Sequence, residues 1–453
     1  MNPQRIKCKL IISIELVVME IRLVSHASVI IKSDVTIWTD PWLNGKAFND
    51  SWSLSPQPAF DESLYGEIDY IFISHEHPDH FHVPTLRAMP QEFKSRVTIL
   101  YQRNNSEKMF DAFKRLGFPK AIALPHREII GLTEKTKVYC YQAGTMDSAL
   151  AVENGGEVVL NLNDCEINAG DCSRILSDLG KVDVVLNQFS IAGYSGFHDY
   201  ENHLPKQSRN ILEKMLANHL DLQADVTIPF ASFIYFSSED NRYINEYSNK
   251  PQNVADFFAE KKQKLAVLYP GETYRTGREH DSTEALVRFR KFYDSMEALN
   301  YDKSEIVEFE EIEAAFNKLV GHLHEKYPVS LLRLLLKPVS VRIPDLDRTI
   351  VFSVATGELR EDKQADPDLI IKSQPLHFGF SYPYGIQTLG VSARYTLIKN
   401  FPNWRNHRII FSLNNAELYL RPKFLLSPSN LKFFRERLPG AWNQFLYRLK
   451  VMR

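Results

Sequence analysis

Residues 73–82 read Ile-Ser-His-Glu-His-Pro-Asp-His-Phe-His, and they hold four of the 14 histidines of the 453-residue chain. The stretch directly follows the apolar run Tyr70–Ile73, which is typical of a short buried strand. Alternate residues of an extended segment point to the same side, so His75 and His77 can converge on one cation. The pattern therefore predicts a metal site at the end of a strand.

A second cation is predicted beside the first. A turn at Pro78 lets Asp79 and His80 face away from the first histidine pair. Imidazole and carboxylate ligands suit zinc, iron and manganese, and two such ions about 3.5–4 Å apart can hold an oxygen-rich substrate. The alternative is a polar surface loop with clustered histidines. That alternative would be stronger for a lone H-x-H, whereas H-x-H-x-D-H after an apolar strand favours metal.

Composition excludes several classes of protein. The chain has 54 basic and 56 acidic residues, a formal net charge of -2, which gives no support for a nucleic-acid binder. The four cysteines, Cys8, Cys140, Cys165 and Cys172, form no C-x-x-C pair. Neither a thiolate zinc site nor a disulfide scaffold is indicated, and we expect a reducing, cytoplasmic compartment.

The N-terminus starts with basic residues and an apolar stretch, as a signal peptide does. Glu15 and Glu20 interrupt that stretch, however, and no small-residue cleavage site follows. The stretch is also too short to span a bilayer, so no integral membrane segment is predicted. We expect residues 1–18 to be a dispensable leader before a first strand.

Short apolar runs alternate with amphipathic helical patterns up to residue 300, which favours a layered α/β domain over residues 19–300. A second, α+β domain is predicted for residues 301–453. The predicted strands include Ala266–Tyr269, and the chain is predicted to end in a basic and aromatic helix, Ser429–Lys450. For that helix, ordinary packing is favoured over binding to a membrane surface or an anion. No long Gly/Ser/Pro linker marks the boundary, so the two parts are expected to pack together.

The H-x-H-x-D-H motif resembles the signature of the metallo-β-lactamase fold, an αββα sandwich with metals between its two sheets. Residues 25–43 resemble the opening of the branch that contains L-ascorbate-6-phosphate lactonase and N-acylphosphatidylethanolamine phospholipase D. The chain is also similar to the lactamase-fold part of CMP-N-acetylneuraminate hydroxylases, over about residues 20–300. Five segments carry this second likeness: Asp40–Leu43, Asn163–Cys165, Gln188–Ser190, Pro229–Phe233 and Pro270–Glu272.

The resemblance implies a role for each matching residue. His75 and His77 match the ligands of the first metal, and Asp79 and His80 match those of the second. Asp164 matches the carboxylate that bridges both ions. With Asp79, it is a candidate to take or orient the proton of a reacting water.

Two further residues have implied supporting roles. Asp40 would orient a ligand imidazole through its free N–H. His26 would lie at the floor of the site, although a hydrogen-bonded core histidine is an equally good interpretation.

The sequence departs from the family pattern at two ligands. The usual third histidine of the first metal is missing, and Asp147 is the nearest substitute. The usual last histidine is also missing; Glu272, His198 and the stretch 236–241 are the candidates for its place. The predicted site is thus richer in carboxylate than a standard di-zinc hydrolase, which favours harder ions such as iron or manganese.

Three functions are compatible with these residues. The first is hydrolysis of a lactone, amide or phosphoester with two divalent ions, zinc or iron, and it is the leading hypothesis. The second is iron-dependent oxygenation of a nucleotide sugar or related small molecule. The hydroxylase relatives carry a Rieske-type iron–sulfur domain, but this sequence contains no C-x-H motif, so the electrons would come from a separate partner. The third is a non-catalytic scaffold.

Overall fold

Two facing β-sheets form the larger part of the molecule. The computed structural model describes residues 18–103, 107–144, 146–296, 301–415, 418–421, 426 and 431. Its strands are β1 (Glu20–Ser25), β2 (Ser28–Lys32), β3 (Thr36–Thr39), β4 (Lys46–Ala47), β5 (Trp52–Leu54), β6 (Tyr70–Ile73), β7 (Thr98–Gln102), β8 (Ala121–Leu124), β9 (Ile129–Gly131), β10 (Thr136–Ala143), β11 (Asp147–Asn154), β12 (Glu157–Asn161), β13 (Val184–Gln188), β14 (Val226–Phe230), β15 (Ile234–Phe236), β16 (Thr273–Arg275), β17 (Val339–Ile343), β18 (Arg348–Ser353), β19 (Glu358–Glu361), β20 (Leu369–Ile370) and β21 (Thr396–Leu397).

Helices cover the outer faces of the sheets and surround the C-terminal strands. They are α1 (Val83–Ala88), α2 (Gln91–Arg96), α3 (Lys108–Arg115), α4 (Ala169–Leu179), α5 (Tyr200–Asp221), α6 (Pro251–Glu260), α7 (Thr283–Asp294), α8 (Phe309–Lys326), α9 (Val329–Leu335), α10 (Ser373–Ser381), α11 (Gly385–Ser392) and α12 (Phe401–Asn415). No helix among the described residues has the length and apolarity needed to cross a membrane.

The first sheet has seven strands in the order β16-β1-β2-β3-β6-β7-β8. Its second half, from β3 to β8, is parallel. Parallel strands are usually buried on both faces, which requires continuous apolar runs. The run Tyr70–Ile73 meets this requirement: it forms β6, where Ile71, Phe72 and Ile73 are fully buried.

The second sheet has six strands in the order β14-β13-β12-β11-β10-β9. Strands β12, β13 and β14 are parallel, and the β10–β11 pair is antiparallel. One hydrophobic core fills the space between the two sheets. It includes Leu23 and Phe72 from the first sheet and Val138, Val152 and Leu186 from the second.

Separate clusters attach helices to the outer sheet faces. Phe93 of α2 and Phe113 of α3 pack outside the first sheet, and Cys172 and Ile175 of α4 pack outside the second. This arrangement is the αββα sandwich that the sequence predicts, and the fold class is confirmed.

A small third sheet, in the order β15-β5-β4, lies beside the sandwich. The turn between β4 and β5 is unusual because Phe48, Asn49 and Asp50 all have left-handed backbones, with φ of 53°, 56° and 57°. Such a conformation costs roughly 1–2 kcal/mol for each residue with a side chain. The turn therefore needs contacts from its surroundings to persist.

The C-terminal part has its own sheet and its own core. Five strands run in the order β19-β18-β17-β20-β21. Phe316 of α8 and Phe380 of α10 pack against Phe352 of β18. Hydrogen bonds join this part to the sandwich; for example, the backbone N–H of His198 donates to the Leu397 carbonyl at 3.1 Å. The boundary near residue 300 stays a prediction.

One predicted strand is wrong. The apolar run Ala266–Tyr269 is not a strand, although its first three residues are almost wholly buried. Its backbone bonds mostly to side chains: the N–H of Val267 donates to the Ser282 hydroxyl, and the carbonyl of Val267 contacts the imidazole of His280. Burial, rather than strand pairing, explains the apolar composition. The predicted helix Ser429–Lys450 lies outside the described residues, apart from Leu431.

Candidate metal centre

The candidate metal centre begins where β3 and β6 end. The two strands pair in parallel, with Thr39 beside Phe72, so Asp40 and Ser74 leave the sheet side by side. The carboxylate of Asp40 accepts the backbone N–H of Ser74 at 2.8 Å and its hydroxyl at 2.7 Å. Asp40 is fully buried. It therefore fixes the start of the segment that carries the histidines.

The segment after Ser74 turns sharply at Pro78. The carbonyl of His77 accepts the N–H groups of both His80 and Phe81, at 3.0 and 2.7 Å. This turn reverses the direction of the chain within four residues, so the side chains before and after Pro78 face different parts of the cavity. Two groups of candidate ligands result.

The first group consists of His75, His77 and Asp164, whose ligand atoms all lie within 4.8 Å of one another. Nε2 of His75 lies 2.8 Å from Nδ1 of His77 and 3.8 Å from Oδ2 of Asp164. Asp147 adds a carboxylate oxygen 3.9 Å from the same His75 nitrogen. Asp147 starts β11 and Asp164 follows β12, so this group spans the space between the two sheets.

The second group consists of His26, Asp79 and His80. His26 occupies the two-residue turn between β1 and β2. Oδ2 of Asp79 lies 3.1 Å from Nε2 of His26 and 3.3 Å from Nε2 of His80. Nε2 of His80 is also 3.7 Å from Oδ2 of Asp164. Asp164 thus lies between the two groups.

Asp40 sets the orientation of the His80 ring. Nδ1 of His80 lies 2.8 Å from Oδ2 of Asp40. A carboxylate accepts, so Nδ1 carries a proton, and Nε2, near Asp79 and Asp164, is the nitrogen that can coordinate a cation in place of its second proton. At metal sites, a carboxylate commonly accepts the N–H of the non-ligating nitrogen of a ligand histidine, and this is the contact that the predicted role of Asp40 requires.

Several ligand atoms in these groups lack partners. Nε2 of His80, Oδ1 of Asp79 and Oδ1 of Asp164 are buried and make no hydrogen bond within the described structure. A buried polar atom without a partner costs about 1–3 kcal/mol. Cations among these atoms would satisfy all three. The donor set, imidazole and carboxylate, also suits zinc, iron and manganese, so the residues present fit a metal centre.

The electrostatics of the carboxylates agree with this fit. Burial alone would raise the pKa of Asp79, but the charge of His80 and the hydrogen bond from His26 outweigh burial and hold that pKa well below its usual range. Burial also opposes ionisation of Asp164, yet the imidazoles of His75 and His80 lower its pKa. Both groups are therefore carboxylates, as cation binding requires.

The histidines differ in charge. Burial lowers the pKa of His75 and His77, which keeps both rings neutral and able to donate lone pairs. Burial acts in the same direction on His80, but the carboxylates of Asp79, Asp164 and Asp40 outweigh it and raise its pKa well above the ordinary value. Without a cation, a proton on His80 takes its place among the carboxylates.

The fourth histidine of the motif has a structural role. The backbone N–H of Thr85 donates to Nδ1 of His82 at 3.2 Å, which caps the start of α1. The ring stacks on Trp42, with centroids 5.4 Å apart. Burial lowers the pKa of His82 to about 4, so the cap is a neutral imidazole. Three of the four histidines therefore belong to the candidate centre.

Glu272, a predicted ligand candidate, lies apart from both ligand groups. Its carboxylate accepts the backbone N–H of Tyr269 at 3.0 Å and pairs with Arg288 at 3.2 Å. It belongs to neither ligand group, because Tyr269 and Arg288 hold it at the edge of the first sheet beside β16. His198 is also apart: Nδ1 of its ring lies 3.2 Å from the Leu397 carbonyl. His26, rather than a residue from a late strand, completes the second group.

Sequence reasoning placed His26 only at the floor of the site. A signal was present, since Ser25-His26 follows an apolar strand in the same way as Ser74-His75. Sequence reasoning missed Gln102 and Ser148 altogether. Their side chains donate to the carbonyl of Ser74, at 3.0 and 2.6 Å, and so fix the backbone just before His75.

Aromatic rings enclose the centre. The His26 ring lies 5.7 Å from the ring of Trp42 and 6.4 Å from that of Trp52, in edge-on contacts. The Phe48 ring lies 5.9 Å from that of His77 and 4.5 Å from that of Trp52. Such an apolar wall limits solvent access and lowers the local dielectric around bound ions.

Comparison with known proteins gives a consistent result. Residues 20–212 match the family model for the beta-lactamase superfamily domain. The cytidine monophosphate-N-acetylneuraminic acid hydroxylase of Danio rerio is 28% identical over 249 residues, which are 50% of this chain and 40% of that protein. A Mycobacterium tuberculosis protein, named for a Rieske 2Fe-2S iron-sulfur centre, is 26% identical over 263 residues, 52% of this chain and 48% of that protein.

These matches therefore span less than half the length of either relative. Among solved structures, the diiron beta-hydroxylase CmlA from Streptomyces venezuelae is 19% identical, with a TM-score of 0.41, covering 57% of this chain and 54% of that one. Over residues 20–212 the chain is therefore similar to the beta-lactamase superfamily domain, and over about half its length it is similar to the cytidine monophosphate-N-acetylneuraminic acid hydroxylases.

Proposed function

We propose that this chain is a metal-dependent oxygenase that hydroxylates a small-molecule substrate at a two-metal centre. The observation that carries the proposal is the composition of the two ligand groups. Each contains two histidines and one aspartate, and Asp147 adds a further carboxylate beside His75. Two histidines and one carboxylate, with open positions, are the ligand set typical of non-haem iron oxygenases.

The relatives support the same reaction and suggest a substrate class. Several of them are named as hydroxylases of cytidine monophosphate-N-acetylneuraminic acid. We infer a nucleotide-activated sugar, or a related small molecule, as the substrate of this chain. Because the matches cover only part of each relative, both substrate and reaction belong to the proposal.

Iron bound by the two groups would supply the one-electron chemistry that oxygen activation needs. The chain itself supplies positioning, proton handling and exclusion of water. Asp40 holds the His80 ring, and Asp79 and Asp164 are ionised carboxylates that would bind the cations and orient a reacting water. The rings of Trp42 and Trp52 shield the second group. Overall, one atom of dioxygen enters a C–H bond and the other leaves as water, with two electrons and two protons consumed.

The electrons would come from a separate donor. None of the four cysteines of the sequence belongs to a C-x-H motif, the pair that holds a Rieske cluster. One relative is named for such a cluster. We infer that an iron–sulfur protein or domain of this type serves as the electron partner.

Hydrolysis is the second candidate, and the place of Asp164 favours it. Oδ2 of Asp164 lies 3.8 Å from a nitrogen of the first group and 3.7 Å from a nitrogen of the second. A carboxylate between two ions is common in two-metal hydrolases. With zinc in both groups, a lactone, amide or phosphoester would be the substrate. The third hypothesis, a non-catalytic scaffold, leaves the unpaired buried ligand atoms without an explanation.

Metal exchange distinguishes the two reactions. Protein stripped with a chelator is reloaded with ferrous iron or with zinc, then mixed with cytidine monophosphate-N-acetylneuraminic acid, a chemical reductant and ¹⁸O₂. Oxygenation predicts one ¹⁸O atom in the product of the iron form and none with zinc. A parallel panel of lactone, amide and phosphoester substrates is run in H₂¹⁸O. Turnover of that panel by the zinc form, with label only from water, would replace the oxygenase proposal with hydrolysis.

A further inference from the structure

The left-handed turn formed by residues 48–50 connects the C-terminal part of the chain to the candidate metal centre. We propose that Gln374 and Arg394 are positioning residues for this centre: they hold the turn, and the turn holds Phe48 against the metal-ligand candidate His77. The inference rests on the proposed metal centre, but it is independent of whether the reaction is oxygenation or hydrolysis.

The first contact is a reciprocal pair of side-chain amides. Nδ2 of Asn49 donates to Oε1 of Gln374 at 3.0 Å, and Nε2 of Gln374 donates to Oδ1 of Asn49 at 3.0 Å. Asn49 is the middle residue of the turn, and Gln374 lies in the first turn of α10. Two parallel hydrogen bonds fix both the position and the plane of the Asn49 side chain.

The second contact is with the backbone of the turn. Arg394, which is almost fully buried, donates from Nη1 to the carbonyl of Asn49 at 2.7 Å. Its other nitrogens donate to the Ser304 hydroxyl at 2.8 Å and to Asp240 at 3.4 Å. The guanidinium has a fixed planar fork, so these partners determine where the Asn49 carbonyl lies.

These contacts explain why the left-handed turn persists. Left-handed backbones are rare in residues with side chains and persist where the surroundings determine them; they cluster at functional sites. Here, the determining contacts to Asn49 come from Gln374 and Arg394, more than 300 positions away in the sequence.

The same left-handed turn places the aromatic ring of Phe48 against the candidate ligand His77. Phe48, its first residue, is 3% exposed, and its ring meets that of His77 edge-on at 5.9 Å. The other ring beside His77 is that of His75, whose Nε2 lies 2.8 Å from Nδ1 of His77. Displacement of Phe48 would therefore free the His77 ring to rotate.

The test compares two glutamine-to-alanine variants of the full chain. Gln374→Ala removes the partner of Asn49. Gln387→Ala is the matched control, because Gln387 also lies in a helix of the C-terminal part, and its amide donates to the Ser412 hydroxyl at 2.8 Å. The Ser51 amide donates to the Ala47 carbonyl and so closes the turn. In metal-free protein, we expect hydrogen exchange at this amide to be about tenfold faster in Gln374→Ala than in wild type. Gln387→Ala should exchange at the wild-type rate.

Cobalt(II) supplies the second readout. We expect the visible spectrum of the cobalt-loaded protein to change in Gln374→Ala, and the chelator-driven loss of cobalt to be about tenfold faster. Phe48→Leu, which keeps the turn but removes the ring, should change the spectrum without changing exchange at Ser51.

The outcomes separate the two proposals. If wild-type protein binds no cobalt, the metal centre is wrong, and with it the role of Gln374 toward that centre. If wild-type protein binds cobalt, but Gln374→Ala matches Gln387→Ala in spectrum, cobalt loss and exchange, the metal centre stands and the positioning role is overturned.

Discussion

Asp40 decides which nitrogen of His80 is free to bind a cation. The carboxylate accepts a hydrogen bond from Nδ1–H, 2.8 Å away, which leaves Nε2, near Asp79 and Asp164, as the nitrogen that can bind a cation. Replacing the acceptor by an amide removes this charge and permits the opposite tautomer. The ring would then present an N–H where a lone pair is needed.

We therefore expect Asp40→Asn to weaken metal binding by about 10–100-fold, measured by competition with a chelator of known affinity. Asp368→Asn is the control, because Asp368 is also buried and hydrogen-bonded but lies in the C-terminal part. Equal metal affinity in Asp40→Asn and wild type would show that His80 does not depend on its partner.

The histidine pair itself gives a second prediction. Replacing both His75 and His77 by alanine should remove most of the bound metal, measured by elemental analysis, while circular dichroism stays that of a folded chain. His322→Ala with His324→Ala is the matched control, since these residues have the same spacing but lie on α8. Full metal content in a folded His75/His77 variant would exclude the first ligand group.

The predictable part of the site is the part that is local in sequence. His75, His77, Asp79 and His80 lie within six positions, so their proximity follows from one strand end and one turn. Asp164 and Asp147 were assigned through a family resemblance, and the structure brings both near His75. The role of His26 could not be read from spacing, because its contact with Asp79 spans 53 positions. The contact depends on how the β1–β2 hairpin turn meets the segment that follows β6.

At the scale of elements, α12 carries a buried histidine that is outside the candidate centre. Nδ1 of His407 lies 2.9 Å from the Asn403 carbonyl, and Nε2 has no hydrogen-bond partner within the described structure. Burial lowers the pKa of His407 to about 4. The unfolded chain takes up the proton near the ordinary pKa of about 6.5. Stability present above pH 6.5 is therefore lost as the pH falls toward 4.

Between pH 7.5 and pH 5, this histidine should lower the free energy of unfolding by about 2 kcal/mol. We expect His407→Phe to remove that part of the pH dependence, measured by urea denaturation at both values. His377→Phe, at a partly exposed position of α10, is the control and should keep the wild-type dependence. If the pH dependence of the unfolding free energy is unchanged in His407→Phe, the His407 imidazole is already protonated in the folded chain at pH 5.

Elements were predictable where burial and strand pairing agree. The parallel strand β6 is a continuous apolar run, and the sequence predicted a strand over its observed bounds, Tyr70–Ile73. The run Ala266–Tyr269 is similarly apolar, but it bonds to β14 at its first residue, where the Ala266 N–H donates to the Thr227 carbonyl, and does not form a strand, so composition alone gave the wrong element. The left-handed turn before β5 contains no glycine that would predict such a backbone. Its conformation is explained by partners that are distant in the sequence.

In the molecule as a whole, polar contacts join the sandwich to the C-terminal part, and each part would lose these partners if the two were separated. Lys46 pairs with Asp302, Lys372 pairs with Asp240 at 2.7 Å, and Asn49 bonds Gln374. Separation would leave Asp240 and the Asn49 carbonyl without these partners.

We expect residues 19–300 and 301–453, produced separately, to give at least one poorly soluble fragment, while co-expression restores a soluble complex. Solubility and calorimetry of each fragment provide the measurement. Two separately soluble fragments that each melt cooperatively would contradict this expectation and make the two parts independent folding units.

The ligand groups take side chains from both sheets: His26, His75 and His80 leave the first sheet, whereas Asp147 and Asp164 leave the second. A cation bound among them would be a cross-link that closes only after the sheets have met. Its binding energy would then add to the stability of the whole sandwich, by about 2.7 kcal/mol when free ion is a hundredfold above the dissociation constant. In a cell short of that ion, the chain would open more often and be degraded sooner, so metal supply would set the lifetime of the protein as well as its activity.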